Sequence, residues 1–317
     1  MQYKSFSDLA RDITVAAHQV PVDVDLIVGI PRSGLLAASV LGLALNTRIC
    51  DLGAFLDNRE VTTGSSRRVG HGNFSRAHEA AHALVLDDSV ATGASIAQVR
   101  KQIAASQYSG KVTLAAVYHA PGTESLVDLS FAEVRLPRLF QWNLLHRREA
   151  EQYCVDIDGV LCVDPTEHDN DDGPRYRQFL AATKPLARPT ARLGHLVTSR
   201  LERYRAETER WLAEQGVVYG TLHMLDVASA AERRRLNAHG RFKASVYASL
   251  SETNLFIESE RAQAREIADR SGKPVLDFTA QELLQPGLGA PLVSQFARSR
   301  GRRVLRGLQR LRGLVSL

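Results

Sequence analysis

Cysteine is scarce in this 317-residue sequence: Cys50, Cys154 and Cys162 are the only three. An odd number without CxxC spacing excludes a disulfide framework and a zinc cluster, and the three are expected as small buried apolar residues. Long apolar runs are missing as well. No stretch approaches the roughly 18 uninterrupted apolar residues of a membrane span, and the opening MQYKSFSDLARD lacks the apolar core of a signal peptide, so a cytoplasmic protein is expected. From Pro291 onward acids are absent while seven arginines are present. That tail holds more than the whole net charge of +5. No basic stripe therefore runs over the remaining body, and general nucleic-acid binding loses its main support. Internal repeats and long low-complexity segments are also absent.

The composition, 44% hydrophobic and 24% charged, is that of a soluble globular chain, and the length fits two domains. After an amphipathic start over Phe6 to Val20, DLIVGI, AHALVLDD and KVTLAAVYH predict strands, with GLLAASVLGLAL and ASIAQVRKQIAAS as helices between them. Such alternation implies a parallel sheet covered on both faces. The pattern restarts near residue 150: YCVDID, LGHLVTS, TNLFIES and KPVLDF predict strands, and ERYRAETERWLAEQG and ERAQAREIADRSG predict helices. Expected, then, is an α/β protein of two doubly wound parallel-sheet domains, 1–149 and 150–285, followed by a basic amphipathic helix over 286–317. The polar excursion DNREVTTGSSRRVGHGNFSRAHEA, with about twenty residues, is long enough to be a lid or binding loop.

In open α/β sheets the ligand sits at the carboxyl ends of the strands, which is where VLDDSVATGAS and VGIPRSG fall. Asp87 and Asp88 can accept hydrogen bonds from neighbouring ribose hydroxyls or hold magnesium. Ala91, Thr92, Gly93, Ala94 and Ser95 offer amides and hydroxyls at a helix N-terminus, a phosphate cradle. Arg32 and Ser33, between Gly29 and Gly34, suit pyrophosphate. A diol, a 5-phosphate and a pyrophosphate together describe phosphoribosyl pyrophosphate. LVLDDSVATGAS and VGIPRSG resemble the signature and the pyrophosphate loop of type I phosphoribosyltransferases over roughly residues 20 to 135. The resemblance implies that Asp87 and Asp88 bind ribose, that 91–95 bind the 5-phosphate, and that Arg32, Ser33 and Gly34 bind pyrophosphate. It also implies that the loop with Arg67, Arg68 and His71 closes over the site. Pyrophosphate would leave C1 with magnesium help, and a nucleophile would attack the opposite face, turning an α-linked donor into a β-linked product.

In the second half, YCVDIDGVLCVDP places Asp156 and Asp158 beside a strand end. Alternation would aim them apart, but a turn after Asp156 would let both reach one magnesium-lined pocket. The segment resembles the first motif of haloacid dehalogenase-like (HAD-like) phosphatases, and Thr198 in HLVTSR, Lys243 in HGRFKASVY and Glu258 in LFIESE follow in that family's order. The resemblance implies that Asp156 attacks phosphorus, that Asp158 protonates the leaving alcohol and then activates water, and that Thr198 and Lys243 hold phosphoryl oxygens. Asp156, Asp158 and Glu258 would bind Mg2+. Adjacent acids are usual at the last place, whereas this chain has Glu258, Ser259, Glu260, which leaves Glu260 open. Short intervals between motifs leave room for a minimal cap only, and such an open site suits a phosphate displayed on something large.

Together the halves imply transfer of 5-phosphoribose to an acceptor and then removal of the 5-phosphate, leaving β-ribofuranose. The arrangement is similar to fused phosphoribosyltransferase–phosphatase proteins of bacterial surface-polysaccharide synthesis, which implies a lipid-linked glycan acceptor. In the tail, Val304, Leu308, Leu311 and Val315 share one helical face with Leu305 beside them, and Arg303, Arg306 and Arg310 fall on another. That pattern fits the inner face of an anionic membrane, at about 1 kcal/mol per arginine. Packing on the body or in an oligomer, or a disordered nucleic-acid-binding tail, stay open, because Gly301, Gly307 and Gly313 weaken the helix. In RLPRLFQWNLLHRRE, Trp142, Asn143 and His146 could contact a sugar, although burial of the tryptophan at a domain junction is the favoured expectation. Two alternatives remain. One is a nucleobase transferase with an attached nucleotide phosphatase, against which stands the lack of a clear base-binding hood in the short N-terminal segment. The other is a non-catalytic regulator that binds phosphoribosyl pyrophosphate, which lacks an evident output module.

Overall fold

The computed structural model describes residues 1–61, 74–169 and 172–287. It divides into two compact units, Met1–Leu144 and a second beginning at Leu145, ahead of the 149/150 boundary expected from the sequence.

The first unit is built on strands that are apolar on both faces. In chain order it holds β1 (Gln2–Lys4), α1 (Phe6–Ala16), β2 (Leu26–Gly29), α2 (Ser33–Leu45), β3 (Arg48–Asp51) and α3 (Leu52–Leu56). These are followed by β4 (His82–Val90), α4 (Ala94–Ala104), β5 (Lys111–His119), β6 (Leu129–Glu133) and β7 (Arg138–Phe140). Five strands form one parallel sheet in the order β3-β2-β4-β5-β6. Because strand side chains alternate faces, Ile27, Leu84, Leu86, Ala115 and Val117 pack with Leu9 and Ile13 of α1 and with Ala37, Ala38 and Leu41 of α2. Leu26, Val28, Ala83, Val85, Leu114 and Ala116 pack on the other side with Phe55, Ile96 and Val99. Helices on both faces explain why these strands read as continuous apolar runs. Entry into α1 is set by a capping box in which Ser5 and Asp8 satisfy each other's backbone amides. The N-terminal segment does not stand alone: β1 pairs in parallel with β7, Tyr3 opposite Leu139, as a separate two-stranded ribbon.

The second unit holds β8 (Tyr153–Val155), α5 (Pro174–Ala182), β9 (Leu193–Leu201), α6 (Arg205–Glu214), β10 (Tyr219–Leu225), α7 (Ala230–Arg235) and α8 (Ala238–Ser249). The chain continues through β11 (Leu255–Glu258), α9 (Arg261–Ser271), β12 (Val275–Asp277) and β13 (Glu282–Leu284). Its six-stranded sheet has the order β10-β9-β8-β11-β12-β13. The expected all-parallel sheet is corrected at one edge, where β13 returns antiparallel to β12. A turn of a few residues suffices for that return, which needs no crossover helix. Tyr247 and Ala244 of α8 and Ala264, Ile267 and Ala268 of α9 bury one face against Cys154, Val197, Phe256 and Val275. Tyr176 and Leu180 of α5 pack with Leu201 and Tyr204.

Among the described residues, no helix is long and apolar enough to cross a membrane. The cysteines are free thiols, but Cys50 is only partly buried. Nor is Cys162 a mere apolar filler, since its Sγ lies 3.4 Å from Asp158 Oδ1 and accepts from Arg200 Nη2 at 3.2 Å.

Candidate active sites

In the first unit the site grows from the register of two strands. β2 pairs with β4 up to Gly29 opposite Leu86, and Ile30 N donates to Leu86 O at 3.0 Å. β4 runs on through both acids to Val90, paired only with β5. On the β2 side, Asp87 and Asp88 therefore face the turn between β2 and α2. The turn can lie that close because residue 34 is glycine: a Cβ there would meet Leu86 O at 2.6 Å and Asp87 Cα at 3.0 Å.

Asp88 is buried and accepts on both oxygens, from Ser33 Oγ on Oδ1 and from Trp142 Nε1 on Oδ2, each at 2.8 Å. Asp87 Oδ1 accepts from Asp88 N at 2.8 Å. Burial, and next the charge of Asp88, push the Asp87 carboxyl up to about 7. The exposed Arg32 donates through Nη2 to Asn143 Oδ1 at 2.8 Å. Ala91, Thr92, Ala94 and Ser95 lie exposed at the start of α4. Gly93 is the N-cap of that helix in the left-handed region, φ 74°, where a side chain would be strained. Arg67, Arg68 and His71 lie outside the described residues.

The trio Trp142, Asn143 and His146 is thus divided. Trp142 is buried within the first unit, stacked on Phe140 with centroids 4.8 Å apart, and its N–H reaches the acid pair. Asn143 holds Arg32, whereas His146 Nδ1 pairs with Thr190 Oγ1 in the second unit. Local pattern could not have found the first two links, which span 54 and 111 residues. The one available signal was general: a buried indole N–H takes a partner.

In the second unit, Asp156, Asp158, Thr198, Lys243 and Glu258 line one cavity of about 290 Å³. β8 ends at Val155, so both aspartates lie beyond the strand and its alternation does not separate them. Asp156 Oδ1 accepts from Ile157 N at 2.8 Å and Oδ2 from Lys243 Nζ at 2.6 Å. Lys243 also donates to Glu258 Oε2 at 2.7 Å and to Gln263 Oε1 at 3.0 Å. Burial raises the Asp156 carboxyl, Lys243 pulls it back, and Glu258 and Asp158 add to the rise. Burial would lower Lys243, but Asp156 and Glu258 hold it above the usual lysine range.

Asp158 is gripped by Arg200, with Nη2 on Oδ1 at 2.7 Å and Nε on Oδ2 at 3.1 Å. Burial alone would raise Asp158; the buried guanidinium outweighs it and holds the carboxyl below the usual range. As arranged, Asp158 is held ionised, and acting as the acid first requires protonation against Arg200. Glu260 finds its place as the N-cap of α9, accepting from Ala262 N and Gln263 N at 2.9 and 2.7 Å. Arg200 and Gln263 were not foreseen from the sequence.

The hard oxygens of Asp156, Asp158 and Glu258 are of the type magnesium takes. Their arrangement does not form a site for it: Lys243 stands between Asp156 and Glu258, Arg200 holds Asp158, and among the described residues no three acidic, histidine or cysteine side chains are grouped to hold a metal ion.

No family model and no curated protein matches the chain. Solved structures do resemble it. A purine phosphoribosyltransferase from Pyrococcus horikoshii OT3 is 17% identical, with 44% of this chain and 92% of that one covered and a TM-score of 0.31. The Helicobacter pylori xanthine-guanine-hypoxanthine phosphoribosyltransferase is 15% identical over 45% and 92%, TM-score 0.33. The orotate phosphoribosyltransferase of Aeropyrum pernix is 22% identical over 41% and 71%, TM-score 0.27.

Proposed function

We propose that the chain is a bifunctional enzyme, a phosphoribosyltransferase in its first unit and a phosphatase in its second. In the first reaction an acceptor hydroxyl attacks C1 of phosphoribosyl pyrophosphate. The C1–O bond breaks, pyrophosphate leaves with the electron pair, and the hydroxyl proton is lost. Arg32 and Ser33 would hold the pyrophosphate, Asp87 and Asp88 the ribose hydroxyls, and residues 91–95 the 5-phosphate. In the second reaction Asp156 attacks phosphorus, the P–O bond to ribose breaks, and the leaving oxygen takes the proton that Asp158 must first bind. Asp158, ionised again, then takes a proton from the water that hydrolyses the aspartyl phosphate and releases inorganic phosphate. The product is a β-ribofuranosyl group. A glycan acceptor on a lipid carrier accords with the motif pairing, and the basic segment 286–317, whose residues from 288 lie outside the described ones, would bring the chain to an anionic membrane surface.

One observation supports this reading most: five residues scattered between positions 156 and 258 line a single cavity, in a chain whose other unit gathers Ser33 on Asp88 and Arg32 on Asn143 beside a parallel strand. A nucleobase acceptor is the second reading. It is favoured by Phe6, 45% exposed and 5.8 Å from Trp142 between ring centroids, which offers a flat apolar lip, and by the β1–β7 ribbon, since a covering element assembled from both ends of the unit removes the objection from the short N-terminal segment.

Mass spectrometry of products from the purified full chain, with phosphoribosyl pyrophosphate, with and without magnesium, and with glycan and nucleobase acceptors, tests the proposal. A pentose added to glycan by the wild type, with its phosphate retained by Asp156→Asn, supports it. Modification of nucleobases alone moves the chain to the second reading, and pyrophosphate release that stops in Asp156→Asn overturns the two-site scheme.

A further inference from the structure

The lysine that the motif order assigns to the substrate of this cavity is already engaged. An ammonium has three N–H donors, and those of Lys243 go to Asp156, Glu258 and Gln263. Lys243 thus holds the nucleophile and its neighbouring acid in place, and as arranged it offers no proton to a phosphoryl oxygen. Arg200 is committed to Asp158. A phosphate dianion entering a cavity lined by Asp156, Asp158 and Glu258 needs donors from another wall.

Two side chains on that wall stand out. Ser199 follows Thr198 near the end of β9; it is only 7% exposed and lines the cavity. Its Oγ has no hydrogen-bond partner among the described residues, although a buried hydroxyl left unpaired costs stability. Arg233 of α7, 4% exposed, lines the same cavity, and its Nη1 donates to Ser199 O at 2.7 Å. That bond fixes a guanidinium beside the hydroxyl, and together they are a donor set of the kind that holds anionic oxygen.

We propose that Ser199 and Arg233 form the phosphoryl-binding subsite of the second unit, taking the oxygens of a phosphomonoester, while Lys243 is a positioning residue for Asp156. The proposal rests on the phosphatase reading above. It explains why a hydroxyl is kept unpaired at a buried strand end: its partner is the substrate.

The test uses the full chain, inorganic phosphate as the binding probe and p-nitrophenyl phosphate as the turnover probe, with Ser199→Ala as the variant. Removing an unpaired buried hydroxyl should leave the ligand-free melting temperature equal to or above that of the wild type. The dissociation constant for phosphate and the KM should each rise about tenfold. Ser199→Thr, which keeps the hydroxyl, should recover most of the loss. In Arg233→Lys, which keeps a charge without the fork, phosphate binding should weaken again. Wild-type protein that binds phosphate while Ser199→Ala binds it equally well overturns this inference alone. Wild-type protein that neither binds phosphate nor hydrolyses the ester overturns the phosphatase reading, and this inference with it.

Discussion

The indole Nε1 of Trp142 donates to Oδ2 of Asp88 at 2.8 Å, so the last turn of the first unit closes onto an acid pair in its central strand. Ser33 Oγ takes the other oxygen of Asp88 at 2.8 Å. Asp88 is thereby oriented from two directions that only the fold brings together.

Replacing Trp142 by Phe keeps an aromatic ring on Phe140 and deletes the donor. The buried Asp88 oxygen then loses a partner, at about 1–3 kcal/mol. Urea unfolding should show a loss of that order, and calorimetry should show weaker binding of phosphoribosyl pyrophosphate. Unchanged values in both would mean that the bond orients nothing.

Asp87 gives a pH signature. Its folded pKa is raised to about 7 against an unfolded value near 3.9, so the folded state binds its proton more tightly than the unfolded chain does. The stability this contributes is complete below pH ~4 and disappears as pH rises through about 7. Asp87→Asn should match the wild type near pH 4 and exceed it at pH 8 by on the order of 1–3 kcal/mol, read from unfolding curves at the two pH values. An excess that does not depend on pH would count against the burial argument.

Lys243→Met leaves Asp156 and Glu258 buried without their shared cation. Breaking such an arrangement costs about 3–5 kcal/mol. Burial already raises the Asp156 carboxyl and Lys243 pulls it back, so without the cation it is raised further and part of the loss should be recovered at pH 5 relative to pH 7.5. Thermal unfolding of wild type and variant at both pH values checks the size and the sign.

Gly34→Ala tests the close approach. Its Cβ would meet backbone atoms of Leu86 and Asp87, which cannot swing aside like a flexible side chain. A loss of about 1–3 kcal/mol is expected, together with weaker phosphoribosyl pyrophosphate binding, because Ser33 would be pushed off Asp88. A melting temperature equal to that of the wild type would show that the turn has room to spare.

Much of the fold was legible. Leu26–Gly29, His82–Val90 and Lys111–His119 read as strands because helices cover both faces and the apolar runs are nearly unbroken. Strands of mixed polarity escaped notice: Arg48–Asp51, Leu129–Glu133 and Tyr219–Leu225 lie at sheet edges, where one side of the backbone is unpaired and the burial pattern is too irregular to imprint a period. Of the second cavity, the motif residues were legible and Arg200, Gln263, Ser199 and Arg233 were not, since nothing local distinguishes an arginine that turns inward from one that is solvated.

By itself the sequence determined what local physics controls: the α/β alternation, the capping box that opens α1, the glycines where backbones must approach or turn, and the acids beside strand ends. Only the tertiary structure decided the partners of those acids. Trp142 on Asp88, Asn143 on Arg32, Arg200 on Asp158 and the three acceptors around Lys243 join residues from 15 to 111 positions apart. Hydrogen bonds of this kind are set by the packing of whole strands and helices, and a one-dimensional pattern carries no record of which buried donor will meet which buried acceptor.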